Sequence, residues 1–152
     1  MRGRTGFAVA SAFVVLAAGG ALTWRAQRAQ RAQGGRPHDA GTVVAVTERD
    51  FQISAPAQVS PGDVRLRIRN AGPDRHELLV VRLADSAPLP FRSSGLTLDE
   101  DALESATVGI LEAREPNTVN DLDVHLERGR YQLFCNMSGH YLGGMQTELD
   151  VR

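Results

Sequence analysis

A chain of 152 residues with 42% hydrophobic and 23% charged side chains suits one globular domain plus a targeting segment, and excludes two separate cores or general disorder. The formal net charge of −1 hides a division: residues 1–40 carry six arginines against one aspartate, and residues 41–152 carry eleven arginines against seventeen acids. The acidic part, which holds the fold, is not expected to bind polyanionic nucleic acid. With one cysteine, no internal disulfide can form and the core alone must hold the fold.

Arg2 and Arg4 precede an apolar run over residues 7–22. That is the pattern of a secretory signal or a signal anchor, so residues 1–24 are expected to direct export and residues 6–24 to hold the membrane. No clean small-residue cleavage site stands out, and Trp24 sits where an interfacial aromatic would end an anchor helix. Arginines flank the run on both sides, so charge alone does not set its orientation. Residues 25–41 form a linker: three copies of Arg-Ala-Gln, then Gly34-Gly35-Arg36-Pro37. His38 lies in this linker without partners and receives no role.

From residue 42 the pattern is β. Residues 42–53 alternate through Val44, Val46, Phe51 and Ile53. Pro61-Gly62 introduces a strand in which Val64, Leu66 and Ile68 alternate with Arg65, Arg67 and Arg69, one face buried and one wet. Asn70-Ala71-Gly72-Pro73 closes it, and residues 77–83 are apolar enough to be covered on both faces. Thr97-Leu98-Asp99-Glu100 has capping-box spacing for a short helix reaching about Ser105, and residues 108–111 suit a short strand. Leu122, Val124 and Leu126 alternate, Glu127-Arg128-Gly129-Arg130 turns, and Tyr131, Leu133 and Cys135 alternate again. Met145, Thr147, Leu149 and Val151 end the chain in the same way, and many short strands of this kind predict an all-β antiparallel sandwich. His125 falls on the wet face of its strand and is read as structural.

The loop between the last two strands reads Cys135-Asn-Met-Ser-Gly-His140-Tyr-Leu-Gly-Gly-Met145. A thiolate, an imidazole and a thioether at this spacing can surround one ion, and His76, beginning a strand after the Asn70 turn, completes the set. Soft sulfur donors with two imidazoles suit copper; magnesium and calcium need oxygen, and structural zinc seldom takes methionine. Two histidines and a cysteine in a plane with a weak axial methionine describe a type 1 copper site.

On Asn70-x-Gly72-x-x-x-His76-Glu77 and on the segment from Gly129 through Cys135 and His140 to Met145, residues 42–152 resemble the small bacterial cupredoxins related to plastocyanin, rusticyanin and sulfocyanin. The resemblance implies a Greek-key β-sandwich with one copper near one end. It also implies that His140 reaches a nonpolar surface including Met137, Tyr141 and Leu142, through which electrons pass. Glu77 departs from the pattern, because several cupredoxins carry Asn or Ser after the first ligand. The expected function is one-electron transfer between redox proteins outside the cytoplasm; copper delivery or storage is the alternative. Enzymatic chemistry is not expected: four protein ligands leave no open position, and a binuclear copper centre would need a second cysteine.

Overall fold

A computed structural model describes residues 41–84 and 88–152. The expected leader, anchor helix and most of the linker, with His38, lie outside the described residues. Among the described residues no helix is long and apolar enough to cross a membrane.

Among the described residues, nine strands form two packed sheets. The first holds β2 (Gln52–Ser54), β1 (Thr42–Arg49), β4 (Gly62–Asn70) and β7 (Val119–Leu126), in that order. The second runs β3 (Gln58–Val59), β9 (Gln146–Val151), β8 (Gly129–Phe134), β5 (His76–Arg82) and β6 (Thr107–Arg114). The chain crosses between sheets from β2 to β3, from β3 to β4, from β4 to β5, from β6 to β7 and from β7 to β8, the interleaving of a Greek key.

Alternation explains the packing. Val44 and Val46 of β1, Val64, Leu66 and Ile68 of β4, and Leu122, Val124 and Leu126 of β7 point inward. They meet Leu78, Val80, Leu133, Leu149 and Val151 from the other sheet. Burying one such aliphatic side chain is worth roughly 1.5–3 kcal/mol. The opposite face of β4 is wet, as its arginines predict. Arg65 makes a two-pronged pair with Asp123 at 2.7 and 3.0 Å, and Arg67 does the same with Asp121 at 3.0 and 3.1 Å.

β5 is buried on both faces. Leu79 and Val81 turn away from the sandwich interior and join Ile110 and Phe134 under Leu98 and Leu103 of the connecting segment. The described part of that segment carries a short helix, α1 (Glu100–Leu103), followed by a 3-10 turn over Glu104–Ala106.

Four expectations need correction. The sheets are mixed: β1 runs parallel to β4, and β3 parallel to β9. Alternation marks a strand's buried face but not its direction, so the sequence pattern could not show this. Residues 42–53 are two antiparallel strands, because the chain reverses through Asp50 and Phe51, the latter in the left-handed region at φ 60°. The α1 cap is Asp99, whose side chain accepts the Asp101 N–H at 3.2 Å, rather than Thr97. The strand expected at 108–111 is longer, Thr107–Arg114.

Candidate metal centre

Three neighbouring strands of the second sheet converge on one end of the sandwich. β5 begins with His76, β8 delivers Cys135 one residue past its end, and Met145 immediately precedes β9. The Cys135 N–H donates to the Met145 carbonyl at 3.1 Å, so the two sulfur residues close the hairpin as paired neighbours. Between them the chain folds in successive turns. The His140 N–H donates to Met137 at 2.9 Å, Gly143 to Gly139 at 2.9 Å, and Met145 back to the His140 carbonyl at 3.0 Å. Gly139 and Gly144 supply the left-handed conformations this path needs, at φ 81° and 100°.

The outcome is a cluster. One ligand-type atom from each of His76, Cys135 and His140 lies within 4.8 Å of the other two. The Cys135 Sγ is 3.5 Å from His140 Nδ1, and the two imidazole rings stand edge to face with centroids 5.3 Å apart. His76, Cys135 and Met145 are fully buried, and His140 is half-buried at the rim. The structure thus brings three of the four residues picked out by sequence into one cluster and buries the fourth, Met145, against the same core. His125 is elsewhere, exposed and paired with Asp63 at 2.7 Å, which agrees with a structural role.

Fit to a metal is tested by the atoms left over. His76 Nε2 is hydrogen-bonded to Asp50 Oδ1 at 3.0 Å, yet His76 Nδ1 is buried and has no hydrogen-bond partner among the described residues. A buried nitrogen lone pair without a partner is expensive unless something else satisfies it. Burial also pushes the His76 imidazolium down, outweighing the Asp50 hydrogen bond that supports it, so the ring is neutral and able to donate. Burial pushes the Cys135 thiol up to about 11, although the Glu77 and Met137 backbone N–H groups donate to the sulfur. Those two N–H groups favour a thiolate, and a soft cation beside the sulfur would complete its stabilisation.

Four residues the sequence reading passed over shape the site. Phe51 lies across the loop with its ring centroid 5.6 Å from that of His140. Its fit is tight enough that a Cβ on Gly143 would stand 2.2 Å from the Phe51 ring, so this loop position must be glycine. Asn136, next to Cys135, accepts the Leu98 N–H at 2.7 Å and donates to the Leu98 carbonyl at 3.1 Å and Glu100 at 2.8 Å, tying the loop to the connecting segment. Glu48 is buried beside the site. Its Oε1 has no partner among the described residues, and burial followed by the nearby charge of Glu77 lifts its carboxyl to about 8. The departure at Glu77 is therefore real in space: a second buried acid lies directly after the first histidine. Asp50 is the fourth. None of these could be found by spacing, because each reaches the site from a turn or strand remote in sequence or through a side chain with no motif of its own.

No protein-family model matches the sequence, and no curated protein does. Solved structures do match in shape. Auracyanin B is 20% identical, covers 77% of this chain and 93% of its own, and superposes with a TM-score of 0.58. Auracyanin A of the photosynthetic bacterium Chloroflexus aurantiacus, described as a "blue" copper protein, is 17% identical over 73% of this chain and 98% of its own, with a TM-score of 0.54. An azurin of Methylomonas sp. strain J is 15% identical over 74% of this chain and 99% of its own, with a TM-score of 0.52. The described residues have the cupredoxin fold.

Proposed function

We propose that this chain is a one-electron carrier that binds a single type 1 copper ion through His76, Cys135 and His140, with the Met145 thioether as a weak axial ligand. The observation that carries this reading is the His76–Cys135–His140 cluster, buried at its first two members, with a His76 nitrogen that has no hydrogen-bond partner among the described residues. Copper would supply a Cu(II)/Cu(I) couple there. The chain's own residues do the rest: β5, β8 and β9 fix the donors on hydrogen-bonded neighbours, the core excludes water, and half-buried His140 connects the site to the surface. Phe51, whose ring faces that histidine, Leu96, whose carbonyl accepts the Gly139 N–H, and Leu142 are exposed, and apolar side chains of this kind suit brief contact with a redox protein.

The copper-loaded protein is expected to be intensely coloured through charge transfer from the Cys135 thiolate, and Cys135→Ser to be colourless but folded. A wild-type protein that takes up zinc in preference to copper and never colours would sink this assignment. Retention of copper through repeated reduction and reoxidation separates a carrier from a delivery or storage protein. The working location of the domain is outside the cytoplasm, tethered through residues 6–24 by the arginine-rich linker. Protease added to spheroplasts should remove the domain; full protection would place it inside.

A further inference from the structure

The hydrogen bond on the far side of His76 assigns a role to a residue outside the ligand set. Asp50 sits in the turn between β1 and β2, in the sheet opposite the one that carries the ligands. Its carboxylate reaches His76 Nε2 at 3.0 Å, with the imidazole fully buried and the carboxylate side chain 28% exposed. The Asn70 turn is built around this contact. Gly72 donates its N–H to Asn70 Oδ1 at 3.0 Å and passes so close that a Cβ there would stand 2.8 Å from Asp50 Oδ1 and 2.9 Å from His76 Nε2. Asn70 in turn donates to the Asp74 and Arg114 carbonyls at 2.8 and 3.1 Å. Asn70 and Gly72 thus hold open the space in which a carboxylate meets the histidine.

Resting on the copper reading above, we propose that Asp50 is a positioning residue for His76: it accepts the Nε2–H, fixes the ring with Nδ1 toward the metal, and makes the imidazole a stronger donor to Cu(II). A carboxylate can only accept, so the proton must sit on Nε2 and the lone pair on Nδ1. The negative charge behind the ring raises its basicity, as a carboxylate does behind any metal-ligating histidine. Cu(II), the more highly charged state, gains more from that donation than Cu(I), so Asp50 lowers the reduction potential.

The test uses the full chain, metal-free and copper-loaded, with two variants. In the metal-free wild type, nitrogen-15 correlation spectra should show His76 as a single Nε2–H tautomer, and Asp50→Ala should give a mixture. Asp50→Asn keeps an amide oxygen to accept the same proton but removes the charge. It should therefore keep the tautomer and the colour while the Cu(II)-over-Cu(I) affinity ratio falls about tenfold, a rise of about 59 mV. An Asp50→Ala protein with one unchanged tautomer, or an Asp50→Asn protein with an unchanged potential, overturns the proposal while leaving the copper assignment intact. If the wild type instead binds copper without colour, the type 1 reading fails, and the tautomer comparison still decides whether Asp50 holds His76.

Discussion

Replacing Glu48 with glutamine should remove a pH dependence of stability that the wild type carries. Glu48 is buried on β1, and its carboxyl is lifted from an ordinary 4.5 to about 8, first by burial and second by Glu77. A carboxyl raised in the folded state keeps its proton where the unfolded chain releases it. Its contribution to stability is therefore complete below pH 4.5 and drains away as pH rises toward 8. Each pH unit in that window removes about 1.4 kcal/mol, which accumulates to roughly 4 kcal/mol by its upper end. At a urea dependence of about 2 kcal/mol per molar, the unfolding midpoint should fall by roughly 2 M. The assay is urea unfolding of metal-free wild type and Glu48→Gln at pH 5, 6.5 and 8. His76 works in the opposite sense, because its lowered value favours the folded state as pH rises toward its ordinary 6.5. The quantity to read is thus the difference between the two proteins, which should grow with pH in favour of glutamine. Parallel profiles for the two would refute a buried, protonated Glu48.

Other changes probe the site more directly. Met145→Leu should raise the reduction potential and keep the blue colour, and Met145→Gln should lower the potential, both read by voltammetry; no change in either would mean Met145 is not axial. His76→Ala should abolish the blue site or leave one that depends on added imidazole, visible in the absorption spectrum. Asn136→Ala strands the buried Leu98 N–H and should cost about 1–3 kcal/mol in chemical unfolding. Gly143→Ala sets a methyl against the Phe51 ring and should lower both thermal stability and copper affinity, whereas Gly143→Ala in a Phe51→Ala background should recover most of the loss.

The metal cluster was legible because its chemistry is concentrated. Cys135, His140 and Met145 fall within one loop, and Gly139 and Gly144 mark its turns as clearly as the sulfur atoms mark its purpose. His76 lies 59 residues before Cys135 in the sequence, yet the Asn70 turn placed it at a strand start. Strand faces were equally readable, down to the wet arginines of β4. Strand direction was not, since Val44 and Val46 alternate identically whether β1 runs with β4 or against it. The Asp50–Phe51 reversal was hidden for a related reason: Phe51 and Ile53 continue the alternation of β1 across a turn that only the backbone reveals. Asp50, Phe51 and Asn136 therefore carried no local signal, and their parts in the site emerge only when the two sheets are packed together.

Every residue of the ligand cluster hangs from the five-stranded sheet, while Asp50 and Phe51, which grip its two histidines, belong to the other. A metal held there is also a rivet between the two halves of the sandwich, and it binds the folded chain but not the same geometry in an unfolded one. Occupancy then becomes a stability variable: free metal at about a hundred times its dissociation constant adds about 2.7 kcal/mol. A preparation with half its sites filled is a mixture of two materials that melt at different temperatures, and a broad or stepped melt would report incomplete loading rather than an unfolding intermediate.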